Sequence, residues 1–365
     1  MIKGLYIHIP FCNQICSYCD FVKQVAKPQT IEKYMDTLIE ELKYYKDNYS
    51  FLETIYIGGG TPSSIPNDLL EKLLLAISQL IDLSKITEFS MESNPNDITE
   101  EFVQLIKKYS VNRLSIGVQT INNKLLKLLN RNHSKNDIIE ALTILKRNHM
   151  DNFNLDFIYG IPYQTMENVQ DDLEFIKDSQ ALHISYYSLI YEEKTVLDYQ
   201  IGKGLLKPLD EDLVADFSDV VKAQLQIMGY KHYETSNYAF EGYQSRHNLI
   251  YWNLEEYLGI GLGAASQYDN KRLINQSSIT KYSLDYKKRI MEDYNPKMEY
   301  LLMGLRKTEG ISLTKYKERF QAEVFDNFPK LRRHLQTKLL VIEADYLLLT
   351  DLGQDLANQV YLDII

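Results

Sequence analysis

Three cysteines, the only ones in the chain, lie at positions 12, 16 and 19. The spacing Cys12-x3-Cys16-x2-Cys19 places three thiolates on one short loop, which can bind three corners of an iron–sulfur cube, whereas a site made by protein alone uses four ligands. The fourth iron would then be open to an outside ligand, and an open metal position is where chemistry takes place. The cysteines therefore predict a metal cluster with one reactive position.

Two plainer interpretations of the cysteines stay open at this point. They could be three unliganded thiols, or they could hold a structural zinc ion together with His8, because thiolates and imidazole both suit zinc. The three cysteines lie within eight residues of one another, which excludes an even-numbered disulfide framework and fits a reducing compartment.

The elements that must position this loop are indicated by a change of period along the first half of the chain. Six β-rich runs alternate with longer segments of helical period, such as 31–45 and 136–146. This alternation predicts an α/β fold with a parallel sheet. Six units cannot close an eight-stranded barrel, so we expect a partial, open (β/α)6 barrel. The runs are 5–9, 54–57, 88–92, 113–118, 154–158 and 184–189.

Polar features follow the first four of these runs. The cysteine loop follows the first run, Gly58-Gly59-Gly60-Thr61-Pro62 follows the second, Glu92 ends the third and Gln119 ends the fourth. Because the carboxyl ends of parallel strands meet at one edge, we expect all four features on one rim. The glycine segment taken alone would indicate only a tight turn.

The chain divides into three predicted regions. Residues 1–200 form the barrel. Residues 201–295 form an accessory region with a helix at about 211–228, followed by a Tyr- and Gly-rich stretch without clear period. Residues 296–365 combine helices, a hairpin at 339–349 and a last helix at 352–362, which suggests a winged-helix-like module. This module has ten basic and ten acidic residues, so DNA binding does not follow from its shape.

Composition limits the classes of partner. The formal charge is −10, which opposes attraction to nucleic acid and to anionic lipid surfaces. No apolar run approaches the roughly 20 residues that span a bilayer, and no leader opens the chain. We therefore expect a cytoplasmic protein that is not an integral membrane protein and that meets a membrane only through a partner.

The cysteine spacing, with Tyr18 before the third cysteine, resembles the signature of the radical S-adenosylmethionine (SAM) superfamily. Further motifs in the same order resemble the oxygen-independent coproporphyrinogen III oxidase family over nearly the whole chain. They are Tyr6-Ile-His-Ile-Pro-Phe-Cys12, the glycine segment, Glu92-Ser-Asn-Pro95, Ser115-x-Gly-x-Gln119, Arg131-x-His133 and Asp156-Phe-Ile-Tyr-Gly-Ile-Pro162.

This resemblance implies a [4Fe-4S] cluster on the three cysteines and a set of SAM-binding residues. Carboxylates can accept hydrogen bonds from the SAM ribose or amino group, and an arginine can pair with the SAM carboxylate. Each of these charged residues, taken alone, could equally be part of a surface ion pair. The implied SAM residues are Tyr6, Gly59, Gly60, Thr61, Glu92, Gln119, Arg131, Asp156, Ile190 and Ala265.

Two departures separate the chain from the oxidases of that family. Phe21 stands where the oxidases have a further cysteine, and only eleven residues precede Cys12, so the longer N-terminal extension of the oxidases is missing. The segment His247-Asn-Leu-Ile-Tyr251-Trp252 matches the HNxxYW motif of the heme-chaperone branch, HemW. The resemblance implies heme as a ligand, with His247, Tyr251 and Trp252 as its site.

An imidazole can ligate heme iron, and aromatic side chains can pack on a porphyrin face. His247 could instead be a hydrogen-bonded structural residue, and His8, His183 and His232 are competing ligands.

The leading hypothesis is a heme chaperone that passes heme to a heme-accepting respiratory enzyme, with a flavodoxin or ferredoxin as electron donor. The alternative is a radical enzyme that decarboxylates a porphyrinogen, so enzyme status stays open. A third interpretation, a cluster protein that senses oxygen or iron, leaves the SAM-like rim without a purpose.

Overall fold

The computed structural model of the protein describes residues 1–365. Its first half alternates strands and helices, and each predicted strand is present within two residues at either end. The strands are β1 (Gly4–Ile9), β2 (Thr54–Gly59), β3 (Glu88–Ser93), β4 (Arg113–Gln119), β5 (Phe153–Tyr159) and β6 (His183–Ser188). The helices are α1 (Pro28–Tyr44), α2 (Asn67–Leu80), α3 (Glu100–Lys108), α4 (Asn123–Leu128), α5 (Lys135–Arg147) and α6 (Met166–Ser179).

These six strands are parallel neighbours in sequence order, as a partial barrel requires. Successive side chains of a strand point to opposite faces. In β1, Leu5, Ile7 and Ile9 are fully buried in the main core, which also includes buried residues of α1. Tyr6 and His8 face the barrel interior, where their side chains hydrogen-bond to each other. The α/β fold with a parallel sheet is thus confirmed.

The accessory region extends the sheet at both edges. Its helices are α7 (Val196–Gly202), α8 (Glu211–Ile227), α9 (Arg246–Trp252) and α10 (Ile279–Leu284). Its strands are β7 (Lys231–Glu234), β8 (Asn237–Ala239), β9 (Tyr257–Ile260), β10 (Ala265–Tyr268), β11 (Lys271–Asn275) and β12 (Arg289–Glu292). Strand β9 pairs parallel to β1 and β8 pairs antiparallel to β6, which gives one twelve-stranded sheet. The added strands have three to five residues each, too few to show a period in the sequence.

Helix α9 closes the amino-terminal end of the barrel, and we call it the floor. Its His247 lies against Gly4 and Thr54, the first residues of β1 and β2. Glu88, the first residue of β3, accepts hydrogen bonds from the backbone N–H groups of Arg246 at 2.8 Å and His247 at 3.1 Å. A carboxylate at a helix N-terminus satisfies otherwise unpaired donors, so Glu88 fixes the floor to the sheet.

The C-terminal module has helices and a three-stranded antiparallel sheet in the order β13-β15-β14, consistent with a winged-helix-like arrangement. In place of the single helix predicted at 352–362, the structure has two short helices. The break between them allows Gly353 to pack against the Leu339 carbonyl and Val360 to be buried in the core. The elements are α11 (Pro296–Gly304), β13 (Ile311–Ser312), α12 (Leu313–Phe320), α13 (Val324–Asn327), α14 (Leu331–Gln336), β14 (Leu340–Glu343), β15 (Tyr346–Leu349), α15 (Asp351–Asp355) and α16 (Ala357–Tyr361).

Two hydrophobic cores hold these layers. The main core has 55 buried residues and includes Leu258, Ile260 and Tyr282, so the accessory region shares the core of the barrel. A second core of 12 residues lies wholly within 301–364 and belongs to the C-terminal module. The boundaries at residues 200 and 295 stay a prediction. Every helix is too short or too polar to cross a membrane.

Candidate functional site at the open end of the barrel

A cavity of about 380 Å³ opens at the rim formed by the carboxyl ends of the strands. It contains most of the residues that the sequence predicts for the cluster and for SAM. These are Cys12, Cys16, Cys19, Gly59, Gly60, Thr61, Glu92, Gln119, Arg131, Asp156 and Ile190. The four polar features that follow β1 to β4 therefore share one rim.

The cysteine loop is tied to its surroundings by backbone hydrogen bonds. The N–H of Cys12 donates to the Gln24 carbonyl at 3.1 Å, and the N–H of Ser17 donates to the Leu129 carbonyl at 3.0 Å. Thr61 Oγ1 donates to Cys12 Sγ at 3.6 Å and Arg131 Nη1 donates to Cys16 Sγ at 3.3 Å. Donors and a positive charge beside sulfur favour the thiolate that binds metal.

Burial acts in the opposite direction on the metal-free thiols. It raises the pKa of Cys12 to about 11, although the Thr61 hydrogen bond and the charge of Arg131 lower it. Burial also raises the pKa of Cys19. Because metal ligation needs deprotonated sulfur, metal binding at this loop releases protons.

His8 does not complete a zinc site with the cysteines. Its Nδ1 shares a hydrogen bond with the Tyr6 hydroxyl at 2.9 Å, and its Nε2 shares one with the Val22 carbonyl at 2.7 Å. Both ring nitrogens therefore have partners in the fold. No group of three or more His, Cys, Asp and Glu side chains is arranged to hold a single metal ion; the three thiols line a shared cavity instead.

The glycine segment packs closely against β1 and the loop after it. Gly59 has φ +121°, and a Cβ there would lie 2.6 Å from the ring of His8. A Cβ on Gly60 would lie 2.6 Å from the Phe11 carbonyl oxygen. Side chains at these two positions would therefore displace the strand that leads to the cysteines.

Glu92 lies at the end of β3 with both oxygens engaged. One accepts from the Tyr56 hydroxyl and the other from the Gly59 N–H, each at 2.9 Å. Burial raises the pKa of Glu92 to about 7, although these two hydrogen bonds oppose the shift. A cationic or hydroxyl partner would therefore stabilise the ionised form of this carboxyl group.

Arg131 spans the rim above the cysteine loop. Its Nη2 donates to Asn94 Oδ1 at 2.7 Å and to the Gly117 carbonyl, while its Nε is buried without a partner. Asp156 accepts hydrogen bonds from Ser115 Oγ at 3.1 Å and Asn154 Nδ2 at 2.7 Å, and its burial raises its pKa. A positively charged donor and negatively charged acceptors therefore face one cavity. A ligand that carries both an amino group and a carboxylate needs partners of both kinds.

Two residues of the predicted SAM set lie outside the cavity lining. The Tyr6 phenol bonds to His8, which packs against Gly59, so Tyr6 lies behind the rim. Ala265 begins β10, which pairs with β9 and is separated from β1 by that strand. At the mouth, Ile190 is 66% exposed and Phe21, the position that departs from the oxidases, is 63% exposed.

Sequence reasoning missed most of the polar inner wall of the barrel, of which it named only His183, as a competing heme ligand. Arg113, Asn154, His183 and Ser185 also line the cavity, and they are inward-facing residues of β4, β5 and β6. His183 Nδ1 shares a 2.6 Å hydrogen bond with Asn154 Oδ1, and its Nε2 shares one with the Tyr233 hydroxyl at 2.7 Å. Polar residues at alternate positions of otherwise apolar strands were the available signal.

The HNxxYW motif lies in the floor, at the opposite end of the barrel from the cysteines. His247 is 1% exposed, and its Nδ1 shares a 2.7 Å hydrogen bond with Thr54 Oγ1. Its Nε2 shares another with the Tyr251 hydroxyl at 2.7 Å, and its ring stacks on Tyr56. In this arrangement both ring nitrogens of His247 are engaged within the protein.

The other residues of the motif face different surroundings. The Trp252 ring is covered by the Arg306 guanidinium at 4.6 Å, and its buried Nε1 has no partner. Asn248 lines the cavity. The motif therefore connects the C-terminal module below the floor with the cavity above it.

Comparison with known proteins agrees with this architecture. The family model described as "Radical SAM superfamily" matches residues 6–176, and the model described as "HemN C-terminal domain" matches residues 298–356. The solved structure of coproporphyrinogen III oxidase (HemN) from Escherichia coli, described as a radical SAM enzyme, superposes with a TM-score of 0.83 at 19% identity. It covers 100% of this chain and 90% of that one. At that identity the likeness shows the fold.

Two curated relatives are similar over their full length. Heme chaperone HemW of Bacillus subtilis (strain 168) is 33% identical, with 99% of this chain and 98% of the relative covered. Heme chaperone HemW of Lactococcus lactis subsp. lactis (strain IL1403) is 38% identical, with 98% and 96% covered. The chain therefore belongs to the HemW heme chaperone family of the radical SAM superfamily.

Proposed function

We propose that the protein is a heme chaperone that holds a [4Fe-4S] cluster on Cys12, Cys16 and Cys19, binds SAM beside it, and passes bound heme to a respiratory heme enzyme. The observation that carries the proposal is the single cavity that the three thiols share with the polar residues of the rim. Membership of the superfamily implies that the protein binds the cluster and SAM, and the names of its relatives suggest that it binds heme.

In this proposal the rim residues bind and orient SAM. Glu92 and Asp156 accept hydrogen bonds from its amino and hydroxyl groups, and Arg131 pairs with its carboxylate. Gly59, Gly60 and Thr61 let the chain approach closely, Gln119 and Ile190 border the ligand, and Tyr6 and Ala265 support the wall from behind. Cys12, Cys16 and Cys19 would hold the cluster beside this ligand, and the cluster, when bound and reduced by the electron donor, would supply one-electron chemistry.

Heme is proposed to bind at His247, with Tyr251 and Trp252 packing on the porphyrin. The Thr54 hydroxyl already orients Nδ1, as the outer partner of an iron-ligating histidine does. Ligation through Nε2 requires the Tyr251 hydroxyl to leave that nitrogen. In this proposal, heme entry displaces the Tyr251 hydroxyl from His247 Nε2.

The proposed partners are the heme-accepting respiratory enzyme and an electron donor such as a flavodoxin or a ferredoxin. The formal charge of −10 gives nucleic acid no electrostatic attraction to the surface. We place the protein in the cytoplasm, where it meets the membrane through its recipient.

The test is anaerobic cluster reconstitution followed by heme titration and transfer. Stoichiometric heme binding, and reactivation of an apo-cytochrome by the heme-loaded protein, are the expected results. Absence of heme transfer would refute the chaperone. Decarboxylation of coproporphyrinogen III by the same preparation, with SAM cleavage, would instead establish the radical enzyme.

A further inference from the structure

The inner wall of the cavity contains a buried arginine without a partner. Arg113 is the first residue of β4, at the floor end of the barrel, and it lines the cavity. It is 3% exposed, and its Nε has no hydrogen-bond partner. No other atom of its guanidinium makes a hydrogen bond or ion pair with the protein, whereas Arg289 and Arg131, whose Nε atoms are also unpartnered, bind Glu41 at 3.1 Å and Asn94 at 2.7 Å through Nη2.

The neighbouring carboxylates are committed elsewhere. Glu88 accepts from the first N–H groups of α9, Glu92 accepts from Tyr56 and Gly59, and Asp156 accepts from Ser115 and Asn154. None of them lies within ion-pairing distance of Arg113. Its charge acts at longer range, since it adds to the effect of burial in lowering the pKa of His183 and of His247.

A buried cation without a partner is strongly unfavourable for folding. A guanidinium also presents five donors in a planar fork that matches a carboxylate. Residues that destabilise the fold and face a ligand cavity are typical of binding sites, where function and stability conflict. Asn248, projected from the floor into the same cavity, offers a further donor.

We propose that Arg113, with Asn248, forms a carboxylate-binding subsite at the inner end of the cavity. This inference rests on the proposed function and deepens it, because the carboxylate is a propionate of heme, whereas the SAM carboxylate is proposed to pair with Arg131 beside Cys16. The subsite holds the end of the ligand that lies farthest from the cysteine loop, and it connects the cavity to the HNxxYW motif through Asn248.

The first experiment separates a binding role from a structural one. Arg113→Gln and Arg289→Gln are compared by thermal unfolding of the full chain without ligands. Arg289→Gln leaves the buried Glu41 without its cationic partner, so its midpoint should fall by about 5 °C or more. Arg113→Gln removes an unpaired charge, so its midpoint should stay the same or rise. An equal loss in both variants would overturn the proposal.

The second experiment measures recognition of the carboxylate itself. Binding of SAM is compared with that of decarboxylated SAM, and binding of hemin with that of its dimethyl ester, to the cluster-reconstituted protein. In the hemin pair, loss of the carboxylates should weaken binding to the wild type about tenfold to a hundredfold. Arg113→Gln should abolish that discrimination, and Arg113→Lys should retain part of it. The exposed Arg147→Gln should behave as the wild type.

The SAM pair is the control: its discrimination is assigned to Arg131, so Arg113→Gln should leave it unchanged. If the wild type binds hemin and its dimethyl ester equally well, or if Arg113→Gln discriminates between them as well as the wild type, the subsite is wrong and the chaperone function is unaffected. Failure of the wild type to bind either form of hemin would refute the chaperone function and the subsite together.

Discussion

Glu92 is a buried carboxyl group whose ionised form destabilises the folded protein. Its pKa is raised from 4.5 to about 7 by burial, with Tyr56 and Gly59 opposing the shift. Between these values the folded state keeps a proton that the unfolded state has lost. The contribution of Glu92 to stability is therefore full below about pH 4.5 and is lost as the pH rises through 7.

Replacing Glu92 with Gln should remove this pH dependence. The variant should be more stable than the wild type at pH 8, by about 1–3 kcal/mol, and the difference should vanish near pH 4.5. SAM affinity should fall at least about tenfold, because a charged acceptor is lost. Urea unfolding at several pH values and equilibrium dialysis of SAM measure the two effects. Unchanged SAM affinity would remove Glu92 from the site.

His247 and Tyr251 allow the proposed heme ligand to be tested with a matched pair. His247→Ala should abolish or shift the Soret band of bound heme, because the ligand is missing. Tyr251→Phe removes only the hydroxyl that engages Nε2, so heme affinity should be retained or increased. Optical titration measures both. A Soret band that is unchanged in His247→Ala would assign the iron to another ligand.

The residues that sequence could predict are those with rare types in a fixed spacing, such as the three cysteines and the glycine segment. Arg113 was not predicted, because nothing in one strand shows whether its partner residues on other strands leave it unpaired. The burial of His247 between Thr54 and Tyr251 was equally hidden. These contacts join residues that are far apart in sequence, and they exist only after folding.

At the scale of elements, Glu88 is the link between the sheet and the floor. Glu88→Gln keeps the shape but removes the charge at the N-terminus of α9, so we expect a loss of about 1–2 kcal/mol in stability. Urea unfolding provides the measurement.

Glu100 is the matched control, since it occupies the first turn of α3 but lies at the surface in an ion pair with Arg147. Glu100→Gln should cost less stability than Glu88→Gln, because an ion pair at the surface contributes little. Equal losses would mean that the floor does not depend on Glu88.

The barrel strands were predictable because six buried runs alternate with amphipathic helices. In each of these segments the hydrophobic period and the segment length indicate the same kind of element. The strands β7 to β12 were not, because their pairing partners, rather than their own short sequences, make them strands. The floor itself shows no strong helical pattern, because α9 has seven residues that face the barrel, the cavity and the C-terminal module.

For the whole molecule, the contact between Arg306 and Trp252 joins the C-terminal module to the barrel. Because Trp252 is the only tryptophan, its emission reports on this contact alone. Arg306→Ala should shift the emission to longer wavelength and lower stability by about 1 kcal/mol. Arg332→Ala removes a similar contact, with Phe325 at 5.0 Å inside the module, and should leave the emission unchanged. An unshifted spectrum in Arg306→Ala would show that the module stays in place without this contact.

The placement of the floor sets the distance between the two ends of the protein. The strand β1 has six residues, which at about 3.3 Å per residue span about 20 Å. A heme iron bound to His247 and a cluster on the cysteine loop would therefore be separated by about the length of that strand. Any influence of SAM on heme must be mutual: if SAM weakens the binding of heme, heme weakens the binding of SAM by the same factor. Loading and release would then be two directions of one equilibrium.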